Sequence, residues 1–141
     1  MKSIALLCAS LIATAAIAEE PAAKYTDLKA PEAIELVKKD EAAVKADPKK
    51  QAIIVLDVRT AEEYAKGHIA GAVNIDYKSA TFKDAMNKLD KNKPYLVHCA
   101  AGGRSAKTRE MMKTLGFKDV YHLDGGLTAW EKAGGPVTQK P

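Results

Sequence analysis

The stretch Tyr95-Leu96-Val97-His98-Cys99-Ala100-Ala101-Gly102-Gly103-Arg104-Ser105 constrains the fold more than any other part of the chain. An apolar run ends at a cysteine, a loop of small residues follows, and an arginine closes it. Immediately downstream, Thr108, Met111, Met112 and Leu115 fall at helical spacing. The pattern predicts a strand that delivers Cys99 at its C-terminal end, with a loop wrapping toward the N-terminus of a helix.

That placement has chemical consequences. The first N–H groups of a helix lack internal partners and carry partial positive charge. Successive N–H groups ahead of them form an anion-binding nest. A thiolate held there has a depressed pKa and is well populated at neutral pH. Ala100, Ala101, Gly102 and Gly103 leave the bowl open. Arg104 adds a permanent charge whose fork matches oxyanions. The competing reading is an inert buried cysteine before a glycine turn. The series of strand, small loop, arginine and helix favours the reactive one.

These residues resemble a known family. Cys99-x-x-Gly102-x-Arg104 is similar to the active-site loop of rhodanese-type sulfurtransferases. Asp57-Val58-Arg59-Thr60-x-x-Glu63-Tyr64-x-x-Gly67-His68-Ile69-x-Gly71-Ala72-Val73-Asn74-Ile75 resembles that family's N-terminal signature, and Leu123-Asp124-Gly125-Gly126-Leu127-x-x-Trp130 its C-terminal one. The likeness spans about residues 25–136, in the right order.

At the N-terminus, Lys2 precedes a mostly apolar stretch from Ile4 to Ile17, and Ala16-Ile17-Ala18 has small residues at both cleavage-determining positions. Residues 1–18 therefore read as a secretory signal peptide cut after Ala18. The stretch is shorter than the roughly 20 residues that a spanning helix needs, so no stable membrane anchor is expected in the mature chain. Cys8 suggests a lipoprotein, but Leu7 stands where a small residue is required. Residues 19–141 then form one domain, periplasmic or secreted, with Cys99 as its only cysteine. No internal disulfide can form, and a lone thiol in an oxidising compartment is either intermolecularly paired or reactive. The net charge of +4 comes from scattered lysines and arginines. No basic run is interleaved with aromatics, which argues against a nucleic-acid partner.

Ala30, Ala33, Ile34 and Val37 mark a helix opened near Pro31. Residues 41–50 read as a polar surface excursion with room for a fragment of helix. Ala52-Ile53-Ile54-Val55-Leu56 reads as a strand buried on both faces. Asp57 and Arg59 follow it, either orienting the cysteine loop or forming an ion pair at the strand–helix corner. Thr60 and Glu63 make a capping box. His68 and His98 read as structural, since His98 adjoins Cys99 but points to the opposite face. Ala72 to Ile75 and Val120 to Leu123 are further strands. Phe82, Ala85, Met86 and Leu89 mark a helix, Gly116 ends the one after Cys99, and Val137 to Pro141 reads as a frayed tail. His68, His98, His122 and Cys99 lack metal-site spacing.

Alternating strands and helices predict an α/β domain with a mainly parallel sheet covered on both faces. The resemblance adds a five-stranded sheet in a three-layer α/β/α sandwich. It also implies sulfur transfer without a cofactor. Cys99 takes a sulfane sulfur from thiosulfate or a related small anionic donor as a persulfide, held by the N–H groups of Ala100, Ala101, Gly102, Gly103, Arg104 and Ser105. A thiophilic acceptor, cyanide or a thiol (a protein thiol included), removes it. Two alternatives stand beside this. One is a non-catalytic rhodanese-homology module that binds a partner or carries a persulfide. The other is a phosphatase of the related cell-cycle fold, whose cysteine–arginine loop is one residue longer.

Overall fold

Alternation along the central strand organises the packing. In β4 (Pro94–His98), Tyr95 and Val97 face one side of the sheet and Leu96 the other, as the period of two in an extended chain requires. Cys99 continues the parity of Tyr95 and Val97 and is buried in the same cluster as Leu56, Val58, Met112 and Val120. β2 (Ile54–Asp57) and β5 (Asp119–Leu123) flank β4 and alternate in the same way. The structure is a computed structural model that describes Ala18 and residues 20–141. The expected cleavage point before Glu19, and Cys8, lie outside the described residues.

The sheet has five strands in the order β1-β5-β4-β2-β3, all parallel, with β1 (Lys24–Leu28) and β3 (Val73–Asn74) at the edges. α1 (Ala30–Ala46) and α5 (Gly126–Lys132) cover the Leu96 face, burying Ala33, Leu127 and Trp130 against it. α2 (Ala61–Lys66) adds Tyr64 on that side. α3 (Phe82–Asn87) and α4 (Gly103–Leu115) cover the other with Phe82, Met86 and Met112. This is the three-layer α/β/α arrangement expected. From β2 the chain steps outward to β3, whereas from β4 it steps the opposite way to β5. The carboxyl ends of β2 and β4 therefore bound a crevice of the kind that holds ligands in open α/β sheets.

Local signals act as the sequence indicates. Thr60 Oγ1 accepts from the Glu63 N–H at 3.2 Å, and Glu63 Oε2 accepts from the Thr60 N–H at 3.0 Å. Gly116, at φ +84°, ends α4 in the left-handed conformation.

Two expectations are corrected. Residues 41–50 are not mainly an excursion, because α1 runs on to Ala46. Ala42, Ala43 and Ala46 are strong helix formers, and the buried Asp40 is satisfied by the Ile53 N–H at 2.8 Å. Only Asp47-Pro48 turns the chain. Nor is the C-terminal segment frayed. Thr138 pairs with His68 through two backbone hydrogen bonds of 2.9 and 2.8 Å, and the Lys140 carbonyl meets His68 Nε2 at 2.9 Å. His68 is thus a buried structural residue, stacked on Tyr64 at 3.7 Å.

Candidate active site

β4 ends at His98, and the next residues turn at once into α4. Cys99 Sγ, only 2% exposed as a residue, looks into that turn. The Gly102 N–H donates to Sγ at 3.1 Å, and Ser105 Oγ lies 3.4 Å from it. Gly102 stands at φ +108°, a conformation open to glycine, and this aims its N–H back at the sulfur. Burial pushes the thiol up. The Ser105 hydroxyl and the N–H groups of Ser105, Gly102 and Ala101 outweigh burial, so the net direction is down from the usual thiol value. The loop thus favours a thiolate, the nucleophilic form of the side chain.

The loop is braced from below. The first N–H groups of α5 donate into it, Leu127 to the Cys99 carbonyl at 2.8 Å and Thr128 to the Ala100 carbonyl at 3.0 Å. The double glycine Gly125-Gly126 makes this approach possible. A Cβ on Gly126 would lie 2.5 Å from the Cys99 carbonyl oxygen. In the sequence this pair reads only as a turn.

Arg104, at the far end of the loop, is held by a fork to Glu63, with Nη1 to Oε2 at 2.8 Å and Nη2 to Oε1 at 2.9 Å. Arg104 chiefly, with Thr60, holds the Glu63 carboxyl well below the usual carboxylate range. Glu63 therefore does two jobs, capping α2 and clamping Arg104 across the crevice. The sequence signals only the first, because the partners stand 41 positions apart. A guanidinium has five N–H donors, so the fork leaves donors for an anion.

Asp57 and Arg59 form a buried pair in which Arg59 Nε donates at 3.0 Å and Nη2 at 2.6 Å. Arg59 also donates to the carbonyls of Glu63, at 3.3 Å, and Gly67, at 2.8 Å. The pair is the strand–helix corner, and among the described hydrogen bonds it makes none to residues 99–105. It reaches the loop indirectly, by fixing the helix that carries Glu63. His98 is fully buried on the side of Asp57, with Nε2 3.7 Å from Asp57 Oδ2 and Nδ1 3.1 Å from the Cys99 carbonyl. Burial pushes its imidazole down, against the pull of Asp57. It stands apart from Sγ, as strand alternation requires. Among the described residues no cluster of three His, Cys, Asp or Glu side chains could hold a metal.

Residues 40–133 match the rhodanese-like domain family. The chain belongs to that family. Among relatives of this rhodanese-like chain is a thiosulfate sulfurtransferase, GlpE, of Coxiella burnetii, 37% identical over 83 residues that make up 59% of this chain and 76% of the relative. A tRNA uridine(34) hydroxylase of Buchnera aphidicola is 38% identical over 97 residues, 62% of this chain but only 29% of that protein. Rhodanese-like domains thus also occur within proteins of other activities. Among solved structures, a rhodanese-related protein of Thermoplasma volcanium aligns with a TM-score of 0.66 at 30% identity, covering 82% of this chain and all of that one. A Rhodopseudomonas palustris protein of unknown function, a possible tyrosine phosphatase, aligns with a TM-score of 0.60 at 27% identity, over 81% of this chain and 85% of that one.

Proposed function

We propose that the protein is a sulfurtransferase in which Cys99 carries sulfur between a small anionic donor such as thiosulfate and a thiol or cyanide acceptor. The observation that carries this is the Cys99 sulfur held by the Gly102 N–H at 3.1 Å inside a loop that ends on Arg104. The Cys99 thiolate attacks the outer sulfur of thiosulfate. A sulfur–sulfur bond forms to Cys99, the bond to the sulfonate sulfur breaks, and sulfite leaves. The terminal persulfide sulfur is anionic, and the N–H groups of residues 100–105 and the free donors of Arg104 stabilise it. The acceptor then attacks that sulfur, and Cys99 leaves as a thiolate. Four residues separate Cys99 from Arg104, and a bowl of that size suits one sulfur atom better than a phosphoryl group. The burial of Cys99, together with the clamp on Arg104, favours as a second reading a persulfide carrier that opens only to a docked protein thiol.

A transfer assay with thiosulfate, cyanide and thiol acceptors, beside an aryl phosphate control, tests the proposal. Arg104→Ala is expected to slow the thiosulfate half-reaction about ten- to a hundred-fold, since a charge-assisted hydrogen bond is worth roughly 1.5–3 kcal/mol. The acceptor half-reaction with a neutral thiol should change less. Equal losses in both would show a collapsed loop instead, and hydrolysis of the aryl phosphate without sulfur transfer would overturn the assignment.

We further propose that residues 1–18 are removed on export and that residues 19–141 act as one domain in the periplasm or outside the cell. No helix among the described residues is long and apolar enough to cross a membrane. Intact mass of exported material should place the N-terminus at Glu19, and a full-length or Cys8-lipidated species would refute this.

A further inference from the structure

A chain of polar groups runs away from Cys99 on the side opposite the crevice. Ser105 Oγ lies 3.4 Å from Cys99 Sγ and 2.9 Å from His122 Nε2. His122 Nδ1 lies 2.9 Å from Asp27 Oδ1. His122 is buried on β5, Ser105 is buried in the first turn of α4, and Asp27 sits on the edge strand β1. His122 shares the sheet face of Val120, the face on which Cys99 lies, so strand alternation puts the ring beside the nucleophile rather than across the sheet from it.

The hydrogen-bonding options are few. Arg109 chiefly holds the Asp27 carboxyl below the usual carboxylate range, and an ionised carboxylate only accepts. His122 Nδ1 therefore carries a proton, and in the neutral ring Nε2 is bare. Ser105 has one hydroxyl proton. While Nε2 is bare, that proton goes to His122. Once Nε2 is protonated, His122 donates to Ser105 Oγ and the hydroxyl turns its proton to the sulfur. The Gly102 carbonyl, 3.2 Å from Oγ, is a third acceptor that competes for the same hydroxyl proton.

We propose that Cys99 loses its proton through Ser105 to His122, with Asp27 fixing the ring tautomer, so that His122 is a positioning residue for the nucleophile. The step balances. The S–H bond of Cys99 breaks and its proton passes to Ser105 Oγ, while the Ser105 hydroxyl proton passes to His122 Nε2. Thiol and neutral imidazole become thiolate and imidazolium, and Ser105 ends as it began. The thiolate then receives the Ser105 hydrogen bond beside that of Gly102. The charged groups around the ring are Asp27 from β1, which meets Nδ1 and pairs with Arg109 from α4, and Asp124 just after β5, which pairs with Lys29.

The inference rests on Cys99 being the nucleophile of the proposed transfer. It is tested without any sulfur donor, by the pH dependence of Cys99 alkylation with iodoacetamide. His122→Gln keeps a polar partner for Ser105 but has no base. Its alkylation midpoint should rise by about one pH unit, slowing reaction about tenfold at pH values well below the wild-type midpoint, with an unchanged plateau at high pH. Ser105→Ala should shift the midpoint likewise, and the double variant no further than Ser105→Ala alone, because His122 acts through Ser105. Should His122→Gln fail to fold, His122→Asn carries the test, since it too replaces the ring with an amide that has no base. Its midpoint should also rise. A midpoint equal to wild type in the folded variants, or additive shifts in the double variant, would overturn the relay. A shifted midpoint in a protein that moves no sulfur from any donor would overturn the transferase reading and leave the relay standing.

Discussion

Cys99→Ser is expected to abolish sulfur transfer and leave the fold intact. A serine hydroxyl is a far weaker nucleophile at neutral pH, and it cannot carry a persulfide. The hydroxyl still accepts from the Gly102 N–H that now meets Sγ at 3.1 Å, so no buried donor is orphaned and stability should change little. Wild type incubated with thiosulfate should gain the mass of one sulfur atom on the peptide containing Cys99. The variant should gain none, with turnover at the uncatalysed background and an unaltered unfolding midpoint. A sulfur adduct on another residue, or undiminished turnover in the variant, would remove Cys99 from the chemistry altogether.

The local half of this architecture is legible in the sequence. The β-branched run ending at Leu56 and the apolar run ending at Cys99 are strands because both faces of a central parallel strand are buried. Thr60 and Glu63 start α2, and Gly116 stops α4, through chemistry contained in a few neighbouring residues. Alternation alone separates His98 from the sulfur. Even the length of α1 was available in part, since Ala42, Ala43 and Ala46 carry high helix propensity, but charged neighbours and Asp47-Pro48 masked it.

The other half depends on which elements the crossovers set side by side, and periodicity is silent on that. Glu63 reaches Arg104 because β2 and β4 are neighbours although β3 and α3 intervene in the chain. Asp27 reaches His122 across 95 positions because β1 closes the sheet against β5. His122 on its own looks like an ordinary histidine in a strand. Only the register of β1 against β5, Asp27 opposite His122, together with the first turn of α4, makes it the middle of a chain of hydrogen bonds. The tail is a similar case, polar in sequence and yet paired with His68.

Gly126→Ala is the substitution expected to do most damage to the fold. The residue has φ +61°, which for a residue with a side chain costs on the order of 1–3 kcal/mol. Its Cβ would also stand 2.5 Å from the Cys99 carbonyl oxygen and 2.6 Å from the carbonyl carbon and oxygen of Ala100. These are backbone atoms, so no rotamer change relieves the contact, and overpacking of this kind adds about 1–3 kcal/mol. The total, about 2–6 kcal/mol, is a large part of the roughly 5–15 kcal/mol that holds a domain together. Relief can come only from moving the cysteine loop off α5, which breaks the bonds from Leu127 and Thr128 to the Cys99 and Ala100 carbonyls. Persulfide formation should then fall even in molecules that remain folded. Gly103→Ala is the matched control within the same loop. Its Cβ meets nothing within 4 Å, the residue opens α4, and its N–H is retained. A change there should be neutral or stabilising by about 0.4–1 kcal/mol. Urea unfolding of the two variants, with persulfide mass measured on the folded fraction, makes the comparison. Equal midpoints for Gly126→Ala and wild type would mean that α5 does not brace the loop, and that the geometry at Cys99 is held by α4 alone.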